Sequence, residues 1–346
     1  MCIYFKDKEN LHYTSGEHIF PAGIGGIKKL PKEYVSLEFN NMISKVEQEF
    51  QRSSILALPR QFVGPGKRGS LNITKETKSK ISVFRHQSDE TVFSLGYIRK
   101  GKPFEIPHII LNKSTGEYAV SIEHSSMINS DLKSFAENIR NALKLKTRLI
   151  KSDKLDEHTV LLGIKSGIEE NYDCFIATQN GEINVFNENT LAAIATELEN
   201  LKEFPQSESI HVVVHQSAKI GTDFYRCSAK IALNFLASFK GKNFVLDNRF
   251  DLVRNWIVND GENNFAQFAE SLPVEFKNIF PDESHQVFIH KKNNTLVAHV
   301  CYYNHFRSVV ILSENFIDPF QPQGFICDWK SQREIDFYEY LLERKP

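Results

Sequence analysis

An acidic residue and a histidine stand side by side near the N-terminus, and an asparagine pair follows. Glu17 and His18 open the segment EHIFPAGIGGIKKLPKEYVSLEFNN, which ends at Asn40 and Asn41. An enzyme that hydrolyses phosphodiesters needs a base to activate water, a divalent cation to neutralise charge on the phosphate, and oxygen ligands for that cation. A Glu-His pair at the end of a strand, followed by a helix that begins with Asn, could supply all three.

The elements around these residues must bring them together. Neighbouring side chains of a regular strand point to opposite faces, so Glu17 and His18 can share a site only where the strand bends. Pro21 and Gly23 fit such a bend. Apolar runs predict a short hairpin before the motif, and helical spacing predicts a helix after it, with Asn40 or Asn41 as N-cap. The expected bounds are 3–5 and 11–13 for the strands, and about residue 58 for the end of the helix.

This segment resembles the HNH endonuclease family, in the branch whose motif reads E-H-I-x-P, a glycine pair, then C-x-x-C-N-N and a helix. The resemblance covers about residues 2–58 and implies a β-hairpin and a helix around a catalytic Mg²⁺ or Mn²⁺. It implies that Glu17 and Asn40 bind this metal and that His18 activates water. The matched glycine pair and the accessory candidates are Gly25, Gly26, Asn41 and Glu47.

The chain departs from the family at its zinc knuckles. Members of this branch carry two C-x-x-C pairs that bind a structural zinc, whereas here Cys2 is matched and Phe5, Ser36 and Phe39 occupy the other places. One cysteine cannot complete a tetrahedral zinc site. We therefore expect no structural zinc, and we expect Phe5 to pack against Phe39 in its place.

A second departure concerns the partner of the histidine. Glu33 falls where the family has an Asn that hydrogen-bonds the catalytic His, which makes Glu33 another accessory candidate. A carboxylate in this place would raise the pKa of His18.

Charge is distributed unevenly. Residues 1–80 carry thirteen Lys and Arg against eight Asp and Glu, a balance of +5, and the remainder carries −6. A stretch punctuated by Gly and Pro, here named the basic segment, contains Lys67, Arg68, Lys75, Lys78 and Lys80. It could lie along a phosphate backbone, or it could be a plain solvated linker.

Beyond residue 80 the pattern predicts a mixture of strands and amphipathic helices, so the fold class is α+β. In the strand pair HQVFIHKKNNTLVAHVCYY, Asn293 and Asn294 mark a tight turn. The histidines of this region could suggest a metal, but ordinary sheet positions fit their spacing better; they are His285, His290, His299 and His305. Three cations of the helix-turn-helix stretch 223–262 could touch phosphate, although exposed helix faces carry such residues anyway; they are Lys230, Arg249 and Arg254.

Composition excludes several classes of protein. The chain has 346 residues, 41% hydrophobic and 25% charged, which is ordinary for a globular protein. Five scattered cysteines predict buried free thiols, and the absence of an apolar run or a leader pattern predicts a cytoplasmic protein without a membrane partner.

The predicted organisation is an HNH-like nuclease module (1–65), a basic linker (66–80) and an α+β domain (81–346) for targeting or regulation. The predicted function is metal-dependent hydrolysis of nucleic acid, DNA more than RNA, with defence against phage or foreign DNA as the setting that the resemblance implies. The alternative is a catalytically degenerate HNH fold that binds nucleic acid or regulates. The sequence leaves open whether the protein forms a homo-oligomer or has a partner in a defence system.

Overall fold

The computed structural model describes residues 1–72, 77–87, 89, 91–121, 129–164, 173–181, 186–200, 212–213, 220–269 and 279–344. Within these ranges the fold is mixed α+β, with eight α-helices and three β-sheets, so the predicted fold class is confirmed at that level. The chain forms two compact units. The first combines Met1–Thr77 with Ala218–Pro346, and the second is Lys78–Ser217.

The helices are short to medium in length: α1 (Leu37–Arg52), α2 (Ala57–Phe62), α3 (Asn129–Arg140), α4 (Glu188–Asn200), α5 (Thr222–Lys240), α6 (Lys242–Val245), α7 (Asp251–Asn259) and α8 (Phe337–Glu343). The strands are β1 (Ser82–His86), β2 (Phe93–Arg99), β3 (Lys102–Glu105), β4 (His108–Asn112), β5 (Tyr118–Ser121), β6 (Thr147–Lys151), β7 (Thr159–Ile164), β8 (Cys174–Thr178), β9 (Val212–Val213), β10 (Ala266–Ala269), β11 (His285–Lys292), β12 (Thr295–Tyr302), β13 (Phe306–Ser313), β14 (Gln323–Asp328) and β15 (Arg333–Asp336).

The second unit holds two of the sheets. One has the order β5-β4-β7-β8-β6, in which only β6 and β8 run parallel, and the other has the order β3-β2-β1-β9. Helices α3 and α4 bury apolar residues at helical spacing, among them Ile139 and Leu191, in one core with Ile109 and Leu162 of the larger sheet. The predicted amphipathic faces of these helices therefore point inward.

The first unit is built on the antiparallel sheet β10-β13-β12-β11-β14-β15. Helix α5 is largely apolar, and Phe224 and every residue from 226 to 237 are buried, because other elements cover several of its faces. Rings from three elements meet there: Phe50 of α1 lies 5.9 Å from Phe224 and 5.3 Å from Tyr302 of β12. The N-terminal segment thus shares one hydrophobic core with the C-terminal sheet.

This division of the chain differs from the predicted one. The polypeptide leaves the first unit at Thr77, near the predicted linker, but it returns at Ala218, so residues 81–346 are not a single domain. The reason is physical: the apolar face of α1 and the apolar α5 need each other for burial.

Two local predictions near the N-terminus are wrong. Residues 3–5 and 11–13 form no hairpin; Ile3 N–H donates to Tyr34 O at 2.9 Å, and His12 O accepts Leu37 N–H at 2.7 Å. The N-cap of α1 is Ser36, whose Oγ accepts Phe39 N–H at 3.3 Å, and the helix ends at Arg52. Asn40 therefore lies inside the first turns of the helix.

The structure also tests three other predictions, which concern a turn, the cysteines and two cations of the C-terminal region. The turn at Asn293 and Asn294 joins β11 and β12 as predicted. All five cysteines are free and buried, also as predicted. The surface assignment of Lys230 and Arg254 is wrong, because both are buried and paired: Arg254 Nε donates to Ile3 O at 2.7 Å.

Candidate active site

The segment that carries Glu17 and His18 is extended and pairs with a second extended segment. Ile19 N–H donates to Lys28 O at 3.0 Å, and Leu30 N–H donates to Glu17 O at 2.7 Å, so residues 17–19 and 28–30 run antiparallel. Helix α1 follows them directly in the chain. The local order is strand-like segment, loop, strand-like segment and helix.

Glycine permits the tight loop between these two segments. Gly25 has φ +97°, in the left-handed region that favours glycine. Gly26 has no room for a side chain, because a Cβ there would lie 1.8 Å from Phe20 O. Its N–H donates to Pro21 O at 3.3 Å. The predicted loop function of the pair thus has a steric basis.

His18 is half-buried at the start of this loop. Its carbonyl oxygen accepts the Asn234 Nδ2–H of α5 at 2.9 Å, which fixes the backbone. Burial lowers the pKa of His18, Lys29 lowers it further, and Glu17 acts in the opposite direction. The imidazole is therefore neutral at neutral pH, which is the form that can accept a proton.

Glu17 and Glu47 converge on one buried lysine. Lys230 Nζ donates to Glu47 Oε1 at 2.6 Å and also contacts Glu17 Oε1. The lysine side chain is 0% exposed, whereas the Glu17 and Glu47 side chains are 13% and 21% exposed. Burial alone would lower the pKa of Lys230, but the two carboxylates outweigh it and raise this pKa. The three groups together carry a net charge of about −1.

Asn40 and Glu47 lie on the same face of α1, but about 10 Å apart along its axis, because seven residues make nearly two turns, so they are not side-chain neighbours. The Oδ1 atom of Asn40 is buried and has no hydrogen-bond partner among the described residues. A buried acceptor left unsatisfied costs about 1–3 kcal/mol. A cation or another donor would remove that cost.

The oxygen atoms of Glu17, Glu47 and Asn40 fit a hard divalent cation in chemical type, because Mg²⁺ and Mn²⁺ prefer carboxylate and amide oxygens. Lys230 limits the fit, since its ammonium already neutralises one carboxylate charge. In the described part of the chain, no group of three or more His, Cys, Asp and Glu side chains could hold a metal. The structure brings Glu17 and Glu47 together at Lys230, whereas Asn40 takes part in neither of these contacts.

The remaining accessory candidates lie at the surface. Asn41 is exposed, and its carbonyl oxygen accepts the Ser44 hydroxyl at 2.8 Å. Glu33 is exposed as well, and its carbonyl oxygen accepts Lys242 Nζ at 2.6 Å. The expected rise of the His18 pKa through Glu33 is wrong, because burial and Lys29 determine the direction.

The four zinc-knuckle positions lie together. Cys2 Sγ accepts the N–H groups of Tyr4 and Ser36, each at 3.4 Å. The rings of Phe5 and Phe39 meet edge to face with centroids 5.7 Å apart, which confirms their predicted packing. The Tyr4 ring stacks on the Phe39 ring, with centroids 3.8 Å apart. Aromatic contacts thus fill the place between Cys2 and the start of α1.

The basic segment is divided between the two units. Lys67 and Arg68 belong to the first unit, Lys78 and Lys80 belong to the second, and Lys75 lies outside the described residues. In the second unit, Lys78 Nζ lies 5.3 Å from the centre of the Tyr97 ring.

The first-unit part of this segment packs against the loop that follows His18. A Cβ on Gly69 would lie 2.5 Å from Ala22 O, so the two backbones are in close contact there. Arg60 also donates to Gly66 O at 3.2 Å. Arg68 is exposed between these two anchored positions. Arg68, one of the predicted phosphate contacts, therefore lies beside the loop that follows His18.

Sequence reasoning missed two residues of α5, Lys230 as the partner of Glu17 and Asn234 as the partner of His18. A signal was present, because both are polar residues, four apart, in the largely apolar stretch 227–237 of the helix. The sequence did not indicate which residues these two side chains contact.

Comparison with known proteins gives no match: no protein-family model, no curated protein and no solved structure matches this chain. A separate finding concerns membranes. Among the helices that the structure describes, none has both the length and the apolar character needed to cross a bilayer.

Proposed function

We propose that this protein is a metal-dependent endonuclease of the HNH type that hydrolyses phosphodiester bonds, in DNA more than in RNA. The observation that carries the proposal is the antiparallel pairing of residues 17–19 with 28–30, followed by α1. It provides the hairpin-and-helix order that the resemblance implies, with His18 at the loop. The meeting of the four knuckle positions adds support, because the resemblance implies that these positions lie together.

In this mechanism His18 takes a proton from the water that attacks the phosphodiester. Its lowered pKa keeps the imidazole neutral, and Asn234 holds its backbone. Glu17 and Asn40 would hold Mg²⁺ or Mn²⁺, which when bound would stabilise the negative charge developing on the phosphate and the leaving 3′ oxygen. Products with 5′ phosphates follow from the resemblance.

The substrate and the setting belong to the same proposal. Arg68 stands beside the motif loop, where a cation can contact the phosphate backbone of a bound strand. A role in defence against phage or foreign DNA is what the resemblance implies, and the cytoplasm is the location that the sequence analysis predicts.

A second candidate is a degenerate HNH fold that binds nucleic acid without cleaving it. One observation favours it: Glu17, the proposed metal carboxylate, already pairs with the buried ammonium of Lys230. A carboxylate that is already paired with a lysine binds a divalent cation less tightly.

The test compares two substitutions at neighbouring residues in the full chain, with plasmid DNA, linear DNA and RNA as substrates. His18→Ala removes the base, so cleavage should fall by about 10² to 10⁴ while metal and nucleic-acid binding persist. Glu17→Gln removes a carboxylate ligand and weakens binding of the cation. Cleavage by this variant should therefore fall and partly recover at high Mn²⁺. The His18 variant should gain nothing from extra Mn²⁺.

The matched control is His12→Ala, because His12 is an exposed histidine of the same segment that pairs with Glu38. It should cleave like the wild type. Equal cleavage by the wild type and His18→Ala would rule out His18 as the base. Binding without any cleavage, with Mg²⁺ and with Mn²⁺, would favour the degenerate fold.

A further inference from the structure

We propose that Lys230 is a positioning residue of this site, whose ammonium is the resident counter-ion of Glu17 and Glu47 and sets how tightly the site takes up a divalent cation. The choice of Mg²⁺ or Mn²⁺ as that cation rests on the proposed function. The charge argument itself needs no nuclease activity.

Three charged groups meet in a protected place. Lys230 Nζ lies 2.6 Å from Glu47 Oε1 and contacts Glu17 Oε1, and the lysine is completely buried. A buried ammonium persists only when it is paired and hydrogen-bonded. Two carboxylates drawn to one point also need a cation between them. The lysine therefore stabilises the two neighbouring carboxylates when no metal is bound.

The same ammonium opposes metal binding. A divalent cation at Glu17 must share that carboxylate with Lys230, and it meets a positive charge within a few ångströms. The formal charges of the triad sum to −1, whereas the two carboxylates without Lys230 have a formal charge of −2 that only a bound cation would stabilise. The wild-type site should thus be stable without metal and bind metal weakly.

Helix α5 separates this charge effect from the placement of the backbone. Asn234 lies one turn after Lys230, donates to His18 O at 2.9 Å and accepts the Tyr4 hydroxyl at 2.6 Å. Replacing the lysine leaves these two hydrogen bonds available. A change in metal affinity can therefore be assigned to the charge of Lys230.

The experiment titrates Mn²⁺ into the full chain and measures free Mn²⁺ by electron paramagnetic resonance. Lys230→Met should bind Mn²⁺ at least about tenfold more tightly than the wild type, because a nearby repulsive charge is removed. The matched control Lys230→Arg keeps the charge and should stay near the wild type. In a chelator the Met variant should unfold at a lower temperature than the wild type, and Mn²⁺ should restore its midpoint.

Equal or weaker Mn²⁺ affinity in Lys230→Met overturns the proposal, and so does the absence of Mn²⁺ binding in both proteins. Cleavage is scored separately. Tighter binding by the Met variant without any cleavage by the wild type would support this inference and contradict the nuclease function.

A second pair of variants covers the case in which Lys230→Met does not fold. Glu47→Gln alone is compared with the double variant Lys230→Met, Glu47→Gln, which buries no pair of uncompensated carboxylates. The double variant should again bind Mn²⁺ at least about tenfold more tightly than Glu47→Gln. Equal affinity of these two proteins overturns the proposal.

Discussion

Acid should destabilise the first unit through one buried histidine. His285 opens β11 and is 0% exposed. Its Nε2–H donates to Ile24 O at 3.0 Å, and its Nδ1 accepts Tyr303 N–H at 3.1 Å, so the neutral ring uses both nitrogens. Burial lowers the pKa of His285 to about 3, against the opposing effect of the Ile24 carbonyl. The contact joins the motif loop to the sheet.

The sign of the effect follows from proton binding. The unfolded chain takes up a proton below its ordinary pKa of about 6.5, whereas folded His285 does not until about pH 3. Stability that is fully present above pH 6.5 is therefore lost as the pH falls toward 3. From this residue the free energy of unfolding should drop by about 2 kcal/mol between pH 7 and pH 5.

The assay is urea unfolding followed by tryptophan fluorescence, because Trp256 and Trp329 both belong to the first unit. His285→Gln should be less stable than the wild type at pH 7, but its stability should fall less between pH 7 and pH 5, by about 2 kcal/mol. The control His158→Gln, at an exposed position of the second unit, should keep the wild-type slope. An unchanged slope in His285→Gln would refute the reasoning.

Two further predictions concern zinc and the basic segment. Elemental analysis should find no stoichiometric zinc, and the fold should survive a chelator, since aromatic packing fills the knuckle beside Cys2; one zinc per chain, lost together with structure, would contradict this account. Replacing all five cations of the basic segment with Gln should weaken DNA binding and reduce its salt slope by about 0.7–0.9 for each lost phosphate contact. An unchanged slope would make the segment a plain linker.

Predictions from the sequence succeeded where local pattern decides the structure. The turn at Asn293 follows from its own residue type, and the mixture of strands and helices beyond residue 80 follows from apolar spacing. They failed where two local solutions compete. Both Ser and Asn are good N-caps, and the choice of Ser36 over Asn40 depends on where Phe39 is buried. The absent hairpin has the same cause, because Ile3 pairs with the chain before α1 instead.

The contacts that define the candidate site could not be predicted, because they join residues that are about 180 to 220 positions apart in the chain. Helix α5 buries four polar side chains, and each has a partner from elsewhere in the first unit: Arg226 meets Ile257 O, Ser228 meets Tyr302, Lys230 meets Glu17, and Asn234 meets His18 O. Buried polar groups without such partners would cost several kcal/mol. Helix α5 and the motif therefore stabilise each other, because each supplies hydrogen-bond partners to the other. Residues 218–346 are thus part of the structure that holds the site, and any targeting or regulatory role would be additional.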